Sequence, residues 1–205
     1  MSGPPGVPSW IDRMKAEPHL ILPGTIAWLR GIWCKVWLPL SGRRFRAGRR
    51  LRVYGSLTIS GPGRIEFGDD VLIIGNAIRG VCLRTLSRGA VIRLDRHAGL
   101  NGTSIQCIER VEIGELSNIA DAFISDTAAH VLGRNRRQLP VTAAEHAPVR
   151  IGRNVWISVQ CVVLHGASIV DDSVMGACSL DRKDVPSGVF AAGNPLRIVQ
   201  SLPDE

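Results

Sequence analysis

Aromatic side chains are scarce in this chain of 205 residues, at 5% with a single tyrosine, which excludes a wide core filled by large rings. The five cysteines, Cys34, Cys82, Cys107, Cys161 and Cys178, form no CxxC pair and are odd in number, so neither a disulfide framework nor a zinc ribbon is indicated. They read as small buried hydrophobes. No secretory signal with an apolar core and a small-residue cleavage site opens the chain, and the expectation is a protein of the reducing cytoplasm. Long uncharged runs are also missing. The most apolar stretch, His19 to Leu40, is interrupted by Pro23, Arg30 and Lys35 and makes a poor transmembrane helix.

What is abundant fits a turn-rich architecture: 22 glycines and 12 prolines accompany a hydrophobic content of 45%, enough for a substantial core. Between Val149 and Leu180 one apolar residue returns at every sixth position, at Ile151, Ile157, Val163, Ile169 and Met175. Neither a helix nor a single strand has that period. It suits a solenoid of very short strands, in which three hexads make a triangular turn of about eighteen residues and successive turns stack about 4.8 Å apart. The same spacing is present upstream at Phe67 and Ile73, Leu94 and Leu100, and Ile113 and Ile119, whereas residues 77 to 92 have no clear register. Between Ser125 and Pro148 the repeat is broken, and an insertion into a repeat emerges as a loop on one face, often the binding face.

Three segments follow from this pattern. Residues 1–50 form an N-terminal arm and a basic amphipathic segment, 51–190 the repeat with a loop at about 127–148, and 191–205 a C-terminal tail. Residues 1–18, rich in Pro and Gly, read as a loosely held arm. Trp28, Trp33 and Trp37 recur at helical spacing and are followed by Arg43, Arg44, Arg46, Arg49, Arg50 and Arg52. Such a segment suits either a cap over the open end of a solenoid or peripheral contact of residues 19–52 with the inner face of a membrane, and the two are compatible. A net charge of +7 and a pI near 9.8 imply an anionic partner. Nucleic acid is not expected, because no exposed aromatics interleave with the arginines and no reading motif is present.

Four ordered stretches, IGRNVWI (Ile151–Ile157), MGACSL (Met175–Leu180), RKDVP (Arg182–Pro186) and AAGNPLRIV (Ala191–Val199), carry a resemblance. The chain resembles the hexapeptide-repeat acyltransferases, in the subgroup of sugar O-acetyltransferases. That resemblance implies an all-β fold, a left-handed parallel β-helix, although parallel crossovers are right-handed in nearly all other folds. It implies acetyl-CoA as acyl donor, no metal, a sugar or lipid-linked saccharide acceptor in polysaccharide or lipopolysaccharide assembly, and a homotrimer with active sites between neighbouring subunits. Carbonic anhydrases of the same fold hold zinc with a closely spaced His pair, which is missing from this sequence.

Acyl transfer to a hydroxyl needs a base, and histidine titrates nearest neutral pH. Of His19, His97, His130, His146 and His165, the resemblance selects His130, which stands where the repeat opens into the insertion, at the family's offset from the Ile113-Gly114 corner. Val131 follows it where the family usually has Pro, a difference that bears on the shape of the loop. Asn101 is expected beside the acceptor hydroxyl, or else as the first residue of an Asn-Gly turn. Asp126 is expected to orient His130 or hold a sugar hydroxyl, the alternative being a structural corner aspartate. For the donor, the resemblance assigns main-chain contacts with pantetheine to Ser158, Val159 and Ala177, and the nucleotide phosphates to Arg182, Lys183 and Arg197. Trp156 is expected at a subunit interface. Two other functions fit the same residues: N-acetylation of an amino sugar nucleotide, and a non-catalytic scaffold at a membrane surface.

Overall fold

The computed structural model describes residues 16–182 and 184–203. The arm at residues 1–15 and Lys183 lie outside the described residues. A short 3-10 turn, Pro18–Leu20, leads into helix α1, Ile21–Leu40. Everything after it is a parallel β-solenoid of about seven turns with three faces.

The first face runs from Arg44–Ala47 through Arg64–Phe67, Val91–Leu94, Arg110–Ile113, Val149–Ile151 and Ser168–Ile169 to Asp184–Val185. It begins seven residues ahead of Leu51, so the arginine-rich segment RFRA is itself a strand. The second face runs from Arg52–Tyr54 to Val189–Ala192, where Arg197–Ser201 folds back as an antiparallel edge strand. The third comprises six strands from Leu57–Ser60 to Leu180–Asp181.

The period of six has a direct physical origin. Residues in register on successive coils stack their side chains inside the prism, giving a first ladder Phe67, Leu94, Ile113, Ile151, Ile169, Val185. A second ladder reads Val53, Ile73, Leu100, Ile119, Ile157, Met175, Ala191. A third reads Ile59, Leu83, Ile105, Ile124, Val163 and ends on the buried carboxylate of Asp181. Each inward aliphatic side chain therefore packs against like chains above and below, and each strand finds its backbone partners on neighbouring coils. Residues 77–92 belong to the same scheme. Val81–Thr85 and Val91–Leu94 are ordinary rungs joined by longer corners.

The corners need backbone that turns sharply. After the first face it is left-handed at Arg50, Asp70, His97, Leu116, Asn154 and Asp172, with φ between 53° and 64°. His97 is thus a corner residue. The glycine that follows an inward residue serves close approach instead: a Cβ on Gly114 would collide with the carbonyl oxygen of Gly152 one coil on. Charged pairs tie corners together from outside, with Arg49 on Asp69, Arg50 bidentate on Asp70, and Arg153 on Asp172.

Helix α1 covers the open first coil. Its inward stripe is Ala27, Gly31 and Cys34, and Gly31 lies so close to Leu51 that any Cβ would strike the Leu51 carbonyl oxygen. Burial pushes the Cys34 thiol up from its ordinary value, although nearby Arg30 opposes this. Among the described residues no helix is long and apolar enough to cross a membrane.

Two stability tests follow. Ile119 is fully buried between Leu100 and Ile157, so Ile119→Ala should cost about 2–5 kcal/mol and Ile119→Val about 0.5–1.5 kcal/mol, measured by chemical denaturation. Burial raises the Asp70 carboxyl, but hydrogen bonds and charge from Arg50 outweigh burial and hold it below the usual aspartate range. A carboxylate so depressed stabilises the fold above its unfolded value, and that contribution is lost as the pH falls below about 4. Asp70→Asn should therefore lower Tm at neutral pH, and the gap to wild type should shrink below about pH 4 in a Tm-versus-pH series.

Candidate active site

The solenoid opens after Phe123–Ser125, and its chain does not rejoin the first face until Val149–Ile151. The base of the intervening loop is stapled shut. Thr127 and His146 form an isolated antiparallel bridge, the Ala128 amide donates to the Glu145 carbonyl at 2.9 Å, and the Ala147 amide donates to the Asp126 carbonyl at 3.0 Å. At its tip a 3-10 turn, Val141–Ala143, follows Pro140.

His130 stands on the outgoing limb. The Ser125 hydroxyl donates to the Thr127 carbonyl, the Ala129 amide to the Thr127 hydroxyl at 3.1 Å, and the His130 amide to the Ala128 carbonyl at 2.8 Å. Ala129 is left-handed at φ 63°, so the chain turns back on itself just before the imidazole. The side chain of His130 is exposed and borders an open cleft of about 610 Å³. Thr127, Glu145, Leu164, His165 and Arg182 border the same cleft.

Those partners arise from stacking. His165 and Arg182 occupy the same third-to-first corner on successive coils, and an Arg182 guanidinium nitrogen lies 3.4 Å from His165 Nε2. Glu145, carried in by the staple, places Oε1 3.6 Å from the same nitrogen. Arginine cannot accept a hydrogen bond, so Nε2 is the acceptor when Arg182 donates, which places the ring proton on Nδ1. Nδ1 is buried with no hydrogen-bond partner among the described residues. Neither His165 nor Glu145 was expected here. The available signal was the corner spacing that aligns His165 with Arg182, but Glu145 depends on how the loop folds back.

Asp126 does not face His130. Its carboxylate is fully buried and accepts backbone N–H bonds from Ile108 at 2.7 Å, Glu109 at 2.8 Å and Arg110 at 2.7 Å, with the Cys107 thiol at 3.3 Å. With four donors already on it, the carboxylate has no face left for an acceptor hydroxyl. The expectation of a substrate contact is corrected to the structural corner role. Burial first, then the charge of Asp126, push the Cys107 thiol far above its ordinary range, so it stays protonated.

Asn101 ends a second-face strand, away from the His130 corner, and its Oδ1 accepts from the Asn76 amide at 3.2 Å. Ser158, Val159 and Ala177 lie together at the second-to-third corner on successive coils, where the Cys178 amide donates to the Val159 carbonyl at 3.0 Å. Val159 is 45% exposed. Arg197 starts the antiparallel edge strand opposite Ala192, at the far end of the prism. Arg182, expected with Arg197 at the phosphates, instead borders the His130 cleft. Among the described residues no group of His, Cys, Asp and Glu is arranged to hold a metal.

With this geometry the chain can be set beside known proteins. No family model matches it. Galactoside O-acetyltransferase of Escherichia coli is 46% identical over 57 residues, which is 28% of each chain. A hexapeptide-repeat acetyltransferase of Vibrio cholerae, VCA0836, superposes with a TM-score of 0.56 at 24% identity, over 67% of this chain and 73% of its own. The chain is a homologue of the hexapeptide-repeat acetyltransferases. Another solved relative in fold is AntD, an N-acyltransferase of Bacillus cereus in complex with dTDP and coenzyme A, with a TM-score of 0.63 at 15% identity over 81% of this chain and 88% of its own. The likeness to VCA0836 and AntD is one of fold, and the homologue spans 28% to 39% of the length of the curated relatives it matches.

The corner role of Asp126 is testable in this acetyltransferase homologue. Asp126→Ala strands three buried amides, so it should lower unfolding free energy by about 2–5 kcal/mol in a denaturant titration.

Proposed function

We propose that the chain transfers an acetyl group from acetyl-CoA to a hydroxyl of a sugar acceptor, with His130 as general base. The observation that carries this reading is the exposed imidazole of His130 at the one long break in the repeat, in a cleft shared with His165 and Arg182. The short identity with a galactoside O-acetyltransferase supports the hydroxyl acceptor.

His130 removes the acceptor proton while the hydroxyl oxygen attacks the thioester carbonyl carbon, giving a tetrahedral oxyanion. A backbone N–H stabilises that oxyanion. Collapse breaks the carbon–sulfur bond, and the departing thiolate takes the proton back from the imidazolium. No acyl-enzyme is needed, because donor and acceptor meet in one cleft. Ser158, Val159 and Ala177 present an exposed corner along which pantetheine can lie, Arg197 and Lys183 serve the phosphates, and Arg182 brings positive charge into the cleft itself. Asn101 holds the acceptor from a neighbouring subunit's edge of the site. A homotrimer fits this division, with Trp156, 53% exposed on the second face, in the subunit interface. Polysaccharide or lipopolysaccharide assembly is the setting we assign to the acceptor.

N-acetylation of an amino sugar nucleotide uses the same base and donor, and the AntD likeness keeps it as the second reading.

His130→Ala should leave the thermal unfolding midpoint unchanged, since the side chain is exposed, and should lower acetyl transfer about 10²–10⁴-fold in a thiol-release assay with saccharide acceptors. Turnover equal to wild type would remove His130 from the mechanism.

A further inference from the structure

We propose that the outward face of α1, together with the arginines that follow it, docks on an anionic lipid surface. Capping the solenoid uses only the narrow stripe of Ala27, Gly31 and Cys34. The two charged residues of the helix are both engaged with the first coil. Arg30 donates to the Gly55 carbonyl at 3.2 Å and Lys35 to the Gly48 carbonyl at 2.9 Å, from opposite flanks of the stripe. On a helical projection the opposite half of α1 then carries no charge at all. Leu22, Leu29, Trp33, Val36, Trp37 and Leu40 lie there, each more than half exposed, and Trp33 stacks on Trp37 with ring centroids 5.9 Å apart.

A helix facing water normally shows charged or polar residues on its outer side. Here a helix of about 30 Å presents a continuous apolar strip instead, the size of patch that marks an interaction surface. Charge decides the partner. Where α1 ends, Pro39, Arg43, Arg44, Arg46 and Arg64 line a notch of about 310 Å³ in which Glu66 is the single acid. Arg43 and Arg46 make no ion pair with any described residue, so their charge is available to an outside anion. A second copy of the chain meeting this face would oppose arginine to arginine. An anionic bilayer satisfies both parts at once, taking the apolar strip among its acyl chains and the guanidinium groups at its phosphates, with tryptophan at the boundary. The helix would lie in the interface and not cross it. This inference is independent of whether the chain transfers acetyl groups.

Flotation of the full chain with vesicles of phosphatidylcholine, with and without phosphatidylglycerol, tests it. The expected result is binding to the phosphatidylglycerol vesicles that weakens with salt. Trp33→Ser/Trp37→Ser and Arg43→Glu/Arg46→Glu should each reduce it at least about tenfold, while His130→Ala binds as wild type. All of the substituted side chains reach solvent, and thermal unfolding of each variant confirms that the prism is intact. Absence of binding to anionic vesicles would overturn the proposal, as would binding that neither double variant reduces. So would self-association that Trp33→Ser/Trp37→Ser abolishes in a protein indifferent to vesicles, which would assign the strip to a second copy.

Discussion

Stacking of one inward aliphatic side chain on its counterpart a coil away is the contact on which the remainder of the molecule depends. Leu100 on Ile119 on Ile157 is one run of it, and Ile113 on Ile151 on Ile169 another. Because the prism is narrow, each rung admits a branched aliphatic and little else, and parallel pairing holds its place along the axis. The corners are fixed in consequence. Residues that are far apart in sequence but equivalent in the coil, such as His165 and Arg182, are brought side by side without any contact designed between them alone.

That regularity explains why chemistry gathers at its interruption. A corner within the repeat is stitched by hydrogen bonds above and below, as Ser117 is when it donates to the Gly152 carbonyl and accepts from the Val155 amide. At Ser125 the chain leaves this scheme, and Asp126 secures the exit by gathering the amides of residues 108 to 110. The loop beyond is free to present His130, while its return limb carries Glu145 back against His165. The same logic applies at the other end. An open first coil needs a cover, α1 supplies one with three small residues, and its remaining surface is left for another partner.

The clean period from Ile151 to Met175 made the fold legible, since there each corner has the same length. Upstream it was blurred for a physical reason. Ile105 follows Leu100 by five residues and Ile124 follows Ile119 by five, because the second-to-third corners at Gly102 and Asp121 are tighter than the one at Ser158–Gln160. The stretch 77–92 was opaque because its corners are longer, not because its strands are different. Within the candidate site, position in the repeat was enough to find His130 and Arg182. It could not reveal that Asp126 turns inward, since an aspartate collecting three amides looks in sequence like any corner aspartate. Glu145 was invisible for another reason: its place is set by the bridge between Thr127 and His146, and irregular loops carry no period from which such pairing can be read.

The central claim is that this interrupted corner moves an acetyl group from a thioester to a sugar hydroxyl. Its most direct test is to incubate the protein with acetyl-CoA and a set of neutral saccharides and amino sugar nucleotides, then locate the acetyl group in the product by NMR. The account predicts an ester on a saccharide hydroxyl, formed as the thiol is released. An amide on the amino sugar nucleotide alone, or no acetylated product from a folded protein with any acceptor, would contradict it.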